Sequence, residues 1–293
     1  MSVALTLQAP AKVNLSLRVL AREESGFHQL ETLFLAIDLA DELRLERAGT
    51  GVELHVEGDA PADPRHNLAG RAALRFLEAA GIGEGVRISL RKRIPAGAGL
   101  GGGSSDAGAV LRGLAQLFDH PLAAGELIAI AAELGSDVPF FAAGVPFALG
   151  WGRGERLVAL PAPPAAPLLV ALPAFPSPTP AAYAALAEAR AASPRAPAGR
   201  ILTVDQLSRW DTLAALACND FEQALLPRHP ALADILTGLR STGARLALLA
   251  GSGSAAFAVY PDEGARAAAL AALASRLPAR LVAARSLTRV GGG

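Results

Sequence analysis

Residues 94–111, IPAGAGLGGGSSDAGAVL, place Gly97, Gly99, Gly101, Gly102 and Gly103, then Ser104 and Ser105, directly ahead of an amphipathic stretch. Glycines let successive N–H groups turn toward one bound group, and a helix starting there adds unpaired N–H donors and its positive dipole end. Such a run suits an anion, above all a phosphate. Ala107, Val110, Leu111, Leu114, Leu117 and Phe118 recur at helical spacing on one face, with Ser104 or Ser105 as the expected cap. Phosphoryl transfer to an alcohol also needs positive charge near the transferring group and an acceptor for the hydroxyl proton. Lys12 and Asp137 are the candidates. Lys12 interrupts an apolar opening strand, and Asn14, two residues on, points the same way from the pleat. Asp137 precedes Pro139 at the start of a short apolar helix, where an aspartate is held ionised and oriented, although the same field lowers its basicity. By type and position alone, Lys12 reads equally well as a solvated strand lysine and Asp137 as a plain N-cap.

The glycine run satisfies Gly-x-Gly-x-x-Gly at Gly97, Gly99 and Gly102, with Asp119 downstream. A dinucleotide loop requires its acidic residue at the end of a second parallel strand, whereas Asp119 follows the helix directly and precedes His120-Pro121. No Gly-Lys-Ser/Thr closes the run, and neither His-Arg-Asp nor Asp-Phe-Gly occurs. A flexible linker is the plainest alternative. The strand-like VRISLR ahead of the run and the helix behind it argue against a linker.

Pro95-Ala96-Gly97-Ala98-Gly99-Leu100-Gly101-Gly102-Gly103-Ser104-Ser105 resembles the second motif of the GHMP kinases, the superfamily of galactokinase, homoserine, mevalonate and phosphomevalonate kinases. Ala9-Pro10-Ala11-Lys12-Val13-Asn14-Leu15 and Ala250-Gly251-Ser252-Gly253-Ser254-Ala255-Ala256-Phe257 resemble the first and third, so three motifs in order span most of the chain. Four further strings, Gly26-Phe27-His28-Gln29-Leu30, His66-Asn67-Leu68, Leu134 to Phe141 (LGSDVPFF) and Asn219-Asp220-Phe221-Glu222, resemble the branch that phosphorylates the 2-hydroxyl of 4-diphosphocytidyl-2-C-methyl-D-erythritol in non-mevalonate isoprenoid synthesis.

The resemblance implies an α+β, two-domain fold with an ATP-binding domain over 1–158, a substrate-binding domain over 159–293 and the site in the cleft between. It implies ATP and Mg²⁺ as cofactors, in a monomer or homodimer, with no metal ligand assigned. Lys12 and Asp137 become the catalytic pair, Asp137 as base or as orienting group. The ATP site would comprise Asn67, Lys92, Pro95, Gly97, Gly99, Leu100, Gly101, Gly102, Gly103, Ser104 and Ser105, and a Cβ at Gly101 would stand where a phosphate approaches. The acceptor would meet Asn14, Phe27, His28, Asp137, Tyr183, Gly251 and Ser252. Phe27 and Tyr183 would stack on the cytosine while His28 reads its edge. Phe27 replaces the tyrosine common in the family, and Ala250 a hydroxyl residue. Asp106 is tolerable beside a triphosphate if Mg²⁺ screens it. A homoserine- or mevalonate-type kinase, or a non-catalytic regulator of the same fold, are the alternatives; the latter would not be expected to keep both Lys12 and Asp137.

At 293 residues and 52% hydrophobic content, the chain can bury two cores, and 27 basic against 27 acidic residues leave no stripe for nucleic acid. The single cysteine, Cys218, excludes an internal disulfide, and the five histidines show no metal-ligand spacing. With no apolar run long enough for a membrane span and a strand pattern at the start, a cytoplasmic protein is expected. Alternation at Val13–Val19, Leu43–Leu45, Val52–Val56 and Val86–Leu90 predicts strands whose polar alternates line or wet one face. Asn67 caps a helix to about Ala80, and another runs from about Ala123 to Leu134. After the Pro/Ala-rich stretch near 161–180, helices over 179–192, 219–226, 230–240 and 262–276 interleave with strands 168–172, 245–249, 255–260 and 280–287, an α+β layer.

Overall fold

The apolar odd-numbered residues from Leu7 to Val19 are all buried along the opening strand, β1 (Ala4–Arg22), in a computed structural model that describes residues 4–23, 28–175, 177–192 and 202–291. Phe27 lies outside the described residues. β1 runs antiparallel to β2 (His28–Ala48), with register shifts between Pro10 and Ala11 and between Asn14 and Ser16 that re-aim the side chains on either side. β2 is far longer than the Leu43–Leu45 alternation predicts. Its TLFLAI stretch is buried on both faces and so shows no period of two.

β3 (Val52–Glu57) leads through α1 (Leu68–Ala79) to β4 (Gly85–Arg91), which lies parallel to β3 and antiparallel to the end of β2. The glycine run enters α2 (Gly102–Leu117), followed by α3 (Ala124–Leu134) and α4 (Val138–Ala142). β5 (Phe147–Gly152) pairs with the start of β2, and β6 (Arg156–Ala159) closes a hairpin on β5. β7 (Pro167–Pro173), α5 (Thr179–Ala192), α6 (Val204–Leu207) and α7 (Trp210–Leu216) follow. The expected helix over 219–226 is instead a two-residue strand, β8 (Cys218–Asn219), beside β1, and a single turn, α8 (Glu222–Leu225). Pairing with β1 takes up the backbone groups that a longer helix would have used. α9 (Pro230–Arg240), β9 (Leu246–Leu249), β10 (Ala256–Val259), α10 (Glu263–Leu273) and β11 (Ala279–Arg285) complete the chain. The helices α6 and α7 are short and were not foreseen from periodicity.

The first sheet has the order β3-β4-β2-β1-β8, with β5 also on β2; the second is β11-β7-β10-β9. Helices α1, α2 and α3 cover one face of the first sheet around Phe76, Leu111 and Leu114. β7, β9 and β10 of the second sheet are apolar and buried on both faces, whereas the edge strand β11 is largely open to solvent. Leu168, Val170, Leu248 and Phe257 pack toward Val13, Leu15 and Leu35 of the first sheet, while Leu169, Ala171, Leu249 and Ala258 pack against Leu232, Ile235 and Leu236 of α9. Near-continuous apolar runs such as LLVAL follow from this double burial.

Candidate active site

Lys12 lies on β1, and its backbone N–H donates to the Leu100 carbonyl at 3.0 Å, which ties the glycine loop to the strand. Only 4% exposed, its ammonium donates to Asn14 Oδ1 at 2.8 Å, sits 3.3 Å from Asp137 Oδ2 and lies over the Phe34 ring. Asn14 Nδ2 donates to Thr32 Oγ1 at 2.8 Å, and the Thr32 hydroxyl donates to the Ser16 carbonyl at 2.8 Å. A buried lysine needs such partners, since its unpaired charge would cost several kcal/mol. Burial thus sets aside the solvated-lysine reading.

Asp137 occupies the N-cap position of α4, but its backbone is helical and its side chain caps nothing. It turns to Lys12 instead. The capping expectation fails because α4 is a single turn whose position is set by other contacts: Phe140 stacks on Phe34 with ring centroids 5.0 Å apart, and Arg112 donates to the Phe141 carbonyl. Neither serine caps α2 either. Its N-cap is Gly101, at φ 73°, with no side-chain bond, and Ser105 Oγ donates to the Pro10 carbonyl at 2.6 Å, a second tie between helix and β1. A Cβ at Gly101 would meet the Phe141 ring at 3.0 Å and Lys12 Cγ at 3.2 Å, so the missing side chain makes room for both.

Lys92, just after β4, carries its ammonium between Asp41 and Asp106, 2.6 Å from Asp106 Oδ2. Asp41, fully buried, also accepts the backbone N–H groups of Arg93 and Ile94, so it turns the chain from β4 toward the loop. Burial pushes the Lys92 ammonium down, but the two carboxylates outweigh it and the net direction is up. Asp106 is 2% exposed and its Oδ1 has no partner, so burial raises its carboxyl to about 7 despite Lys92. Asn67 caps α1 through Oδ1 to Ala69 N and donates Nδ2 to the Pro61 carbonyl, so both ends of its amide are occupied.

The third glycine turn is held by the Asn219-Asp220-Phe221-Glu222 string. Asn219 Nδ2 donates to the Leu249 and Gly251 carbonyls, and Glu222 Oε1 accepts Leu249 N. Asp220 Oδ2 accepts Val19 N and Arg190, binding the same string to β1. A Cβ at Gly99 would run into the Ala250 carbonyl, so the second and third motifs touch through bare backbone, and Ala255 N donates to Ala98 O at 3.1 Å. Ser252 Oγ meets Thr179 Oγ1 at 3.0 Å. Across the cleft, His28 stacks on Tyr183 with centroids 4.6 Å apart, and Tyr183 stands edge-on to Phe221 at 4.9 Å. Burial, with the Asp137 charge, pushes the Tyr183 hydroxyl up.

These groups converge on one cleft of about 1030 Å³, lined by Lys12, Asn14, His28, Asn67, Lys92, Pro95, the loop from Gly97 to Ser104, Asp137, Tyr183, Gly251 and Ser252. Ser105 lies behind it. The matching family models are the GHMP kinases N terminal domain, over residues 67–145, and GHMP kinases C terminal, over 203–279. A 4-diphosphocytidyl-2-C-methyl-D-erythritol kinase of Symbiobacterium thermophilum is 40% identical over 88% of this chain and 92% of its own length. One from Thermus thermophilus is 44% identical over 89% and 90%. The chain belongs to this kinase family. The crystal structure of a 4-(cytidine 5'-diphospho)-2C-methyl-D-erythritol kinase, 40% identical, superposes with a TM-score of 0.79 over 99% of this chain and 100% of that one.

In this GHMP kinase the sequence reading missed Thr32 and Asp41 and left Asp106 without a role. Each is a lone polar residue that the fold buries completely or nearly so. Thr32 opens the apolar TLFLAI run and Asp41 interrupts the apolar spacing of β2, and such interruptions are the signal that could have drawn attention to both. Arg153, in the turn between β5 and β6, and Thr179, the first residue of α5, also line the cleft.

Proposed function

We propose that this GHMP kinase transfers the γ-phosphoryl group of ATP to the 2-hydroxyl of 4-diphosphocytidyl-2-C-methyl-D-erythritol. The observation that carries the reading is the Lys12–Asp137 pair, 3.3 Å apart, in the same cleft as the glycine loop and the His28–Tyr183 ring pair. Backbone N–H groups of Gly97 to Gly103 and the start of α2 receive the triphosphate. Lys12 faces the charge that spreads over the transferring group, and Asp137, with a half-buried side chain and the ammonium beside it, accepts or orients the acceptor hydroxyl. Because Lys12 also binds Asp137, it holds the carboxylate in position at the cleft.

Among the described residues no three His, Cys, Asp or Glu side chains gather as a metal cage. This fits Mg²⁺ arriving with ATP and held chiefly by phosphate oxygens and water, where it would neutralise charge on the transferring group. His28, Tyr183 and Phe27 take the cytosine. His28 and Tyr183 stack on one another, so the base parts them or stacks on an outer face. We place the domain division between residues 158 and 159, at the end of β6, because the chain next enters the second sheet at β7, although β8 later returns to the first. No helix of the described residues is long and apolar enough to cross a membrane, and we assign the enzyme to the cytoplasm.

The test is ³¹P NMR of the purified protein with ATP, Mg²⁺ and, separately, the cytidyl compound, homoserine and mevalonate. A new phosphomonoester resonance with the cytidyl compound alone is expected. Comparable turnover of homoserine or mevalonate overturns the acceptor assignment, and no turnover of any acceptor overturns the kinase reading.

A further inference from the structure

We infer that Thr32 is a positioning residue for phosphoryl transfer: its hydroxyl decides which end of the Asn14 amide faces Lys12. The inference rests on the assignment of Lys12 to the transferring group.

Thr32 is fully buried on β2, beside the register shift between Asn14 and Ser16 that brings both residues to it. Its oxygen lies 2.8 Å from the Ser16 carbonyl and 2.8 Å from the Asn14 side chain. A carbonyl only accepts, so the single Thr32 proton is committed to Ser16 and the hydroxyl offers Asn14 nothing but lone pairs. The amide must then turn its NH₂ end to Thr32 and its Oδ1 to Lys12, 2.8 Å away. An ammonium only donates, so the chain Lys12 to Asn14 to Thr32 to Ser16 runs in one direction and has one arrangement. Flipping the amide would set two donors against each other at Lys12 and two acceptors against each other at Thr32. With Lys12 at 4% and Asn14 at 2% exposure, bulk water is not at hand to relieve either clash.

One ammonium N–H is thus fixed on Asn14 and another faces Asp137, which leaves the third directed by geometry alone. Threonine and valine have nearly the same shape, so packing on β2 does not itself require the hydroxyl. Orientation of the amide does.

Turnover is measured for Thr32→Val, Thr32→Ser, Asn14→Ala and the Asn14→Ala/Thr32→Val double variant, each with its thermal melt. Thr32→Val should lower kcat about tenfold or more with the KM for ATP within about threefold of the parent, and Thr32→Ser, which keeps the hydroxyl, should recover most of that loss. In the Asn14→Ala background the valine substitution should change kcat by less than about twofold, because no amide remains to orient. A merely structural Thr32 would lower turnover by the same factor in both backgrounds, and that result overturns the inference. So does a Thr32→Val enzyme with the parent kcat, or a Thr32→Ser enzyme as impaired as the valine variant. If Thr32→Val does not fold, Thr32→Ala takes its place in the same cycle. The parent enzyme is assayed first on whichever alcohol it phosphorylates, so a wrong acceptor assignment is seen there, separately from the comparison of variants.

Discussion

Lys12 and Asp137 hold each other in place, which separates their roles experimentally. Asp137→Asn keeps the shape of a side chain that caps nothing, so its effect is the loss of a negative charge beside Lys12. We expect kcat to fall about a hundredfold or more, in line with general-base contributions, with the melting temperature nearly unchanged. Lys12→Met should behave alike, and steady-state kinetics beside thermal melts check both; near-parental turnover in either variant removes that residue from the chemistry. Asp106 offers a test of a different kind. Its carboxyl is raised to about 7 in the folded protein from an ordinary 3.8. The folded state therefore favours the protonated form, and the stability this contributes is complete below about pH 4 and lost as the pH rises through about 7. Asp106→Asn cannot ionise, so it should gain stability relative to the parent as the pH rises from 5 to 8. Denaturant midpoints across that range decide the matter, and a difference that does not vary with pH refutes the raised carboxyl.

The elements around the cleft are joined by backbone, which makes the loop geometry unforgiving of added atoms. Gly99 is at φ 79° and its missing Cβ is what lets Ala250 approach, so Gly99→Ala combines a strained conformation with a collision that must push the third-motif turn away. A loss of about 2 kcal/mol in stability and at least tenfold weaker ATP binding are expected, read by urea unfolding and a nucleotide titration. Parental ATP affinity in that variant would show that contact between the two motifs does not shape the cradle. Asn219 and Glu222 belong to the same scale. The sequence shows them only as part of a family-like string; in the fold their side chains supply the donors and acceptors that a two-residue strand and a tight turn cannot supply themselves.

At the scale of the molecule, one apolar layer joins the two sheets: Val13, Leu15 and Leu35 from the first meet Leu168, Val170, Leu248 and Phe257 from the second. Nothing in that layer separates a first core from a second. Phe257→Ala, at a fully buried position, should cost about 3–5 kcal/mol and lower the melting of the whole chain in a single calorimetric transition. Two resolved transitions, only one of them shifted, would show that the halves unfold independently. The cleft borders this layer, with β1 lending its odd-numbered side chains to the core and Lys12, Asn14 and Ser16 to the opposite face.

By itself the sequence determined what depends on neighbours along the chain. The glycine run before an amphipathic helix, the Asn67 cap, the strands of alternating residues and the helices α5, α9 and α10 are local patterns, readable because period and capping chemistry act over a few residues. Lys12 and Asp137 were legible as residue types, and the motif order as a resemblance. What the tertiary structure alone decided is which polar groups meet. Asp137 faces Lys12 instead of capping α4, Lys92 is shared by Asp41 and Asp106, and Thr32 meets Asn14 across a register shift. Residues 12 and 137 are distant in the chain, and Asp41 meets a lysine that follows it only after β3, α1 and β4. Partners of a buried charge are set by which elements pack together, and that is a property of the whole fold, carried by apolar contacts that no single segment encodes.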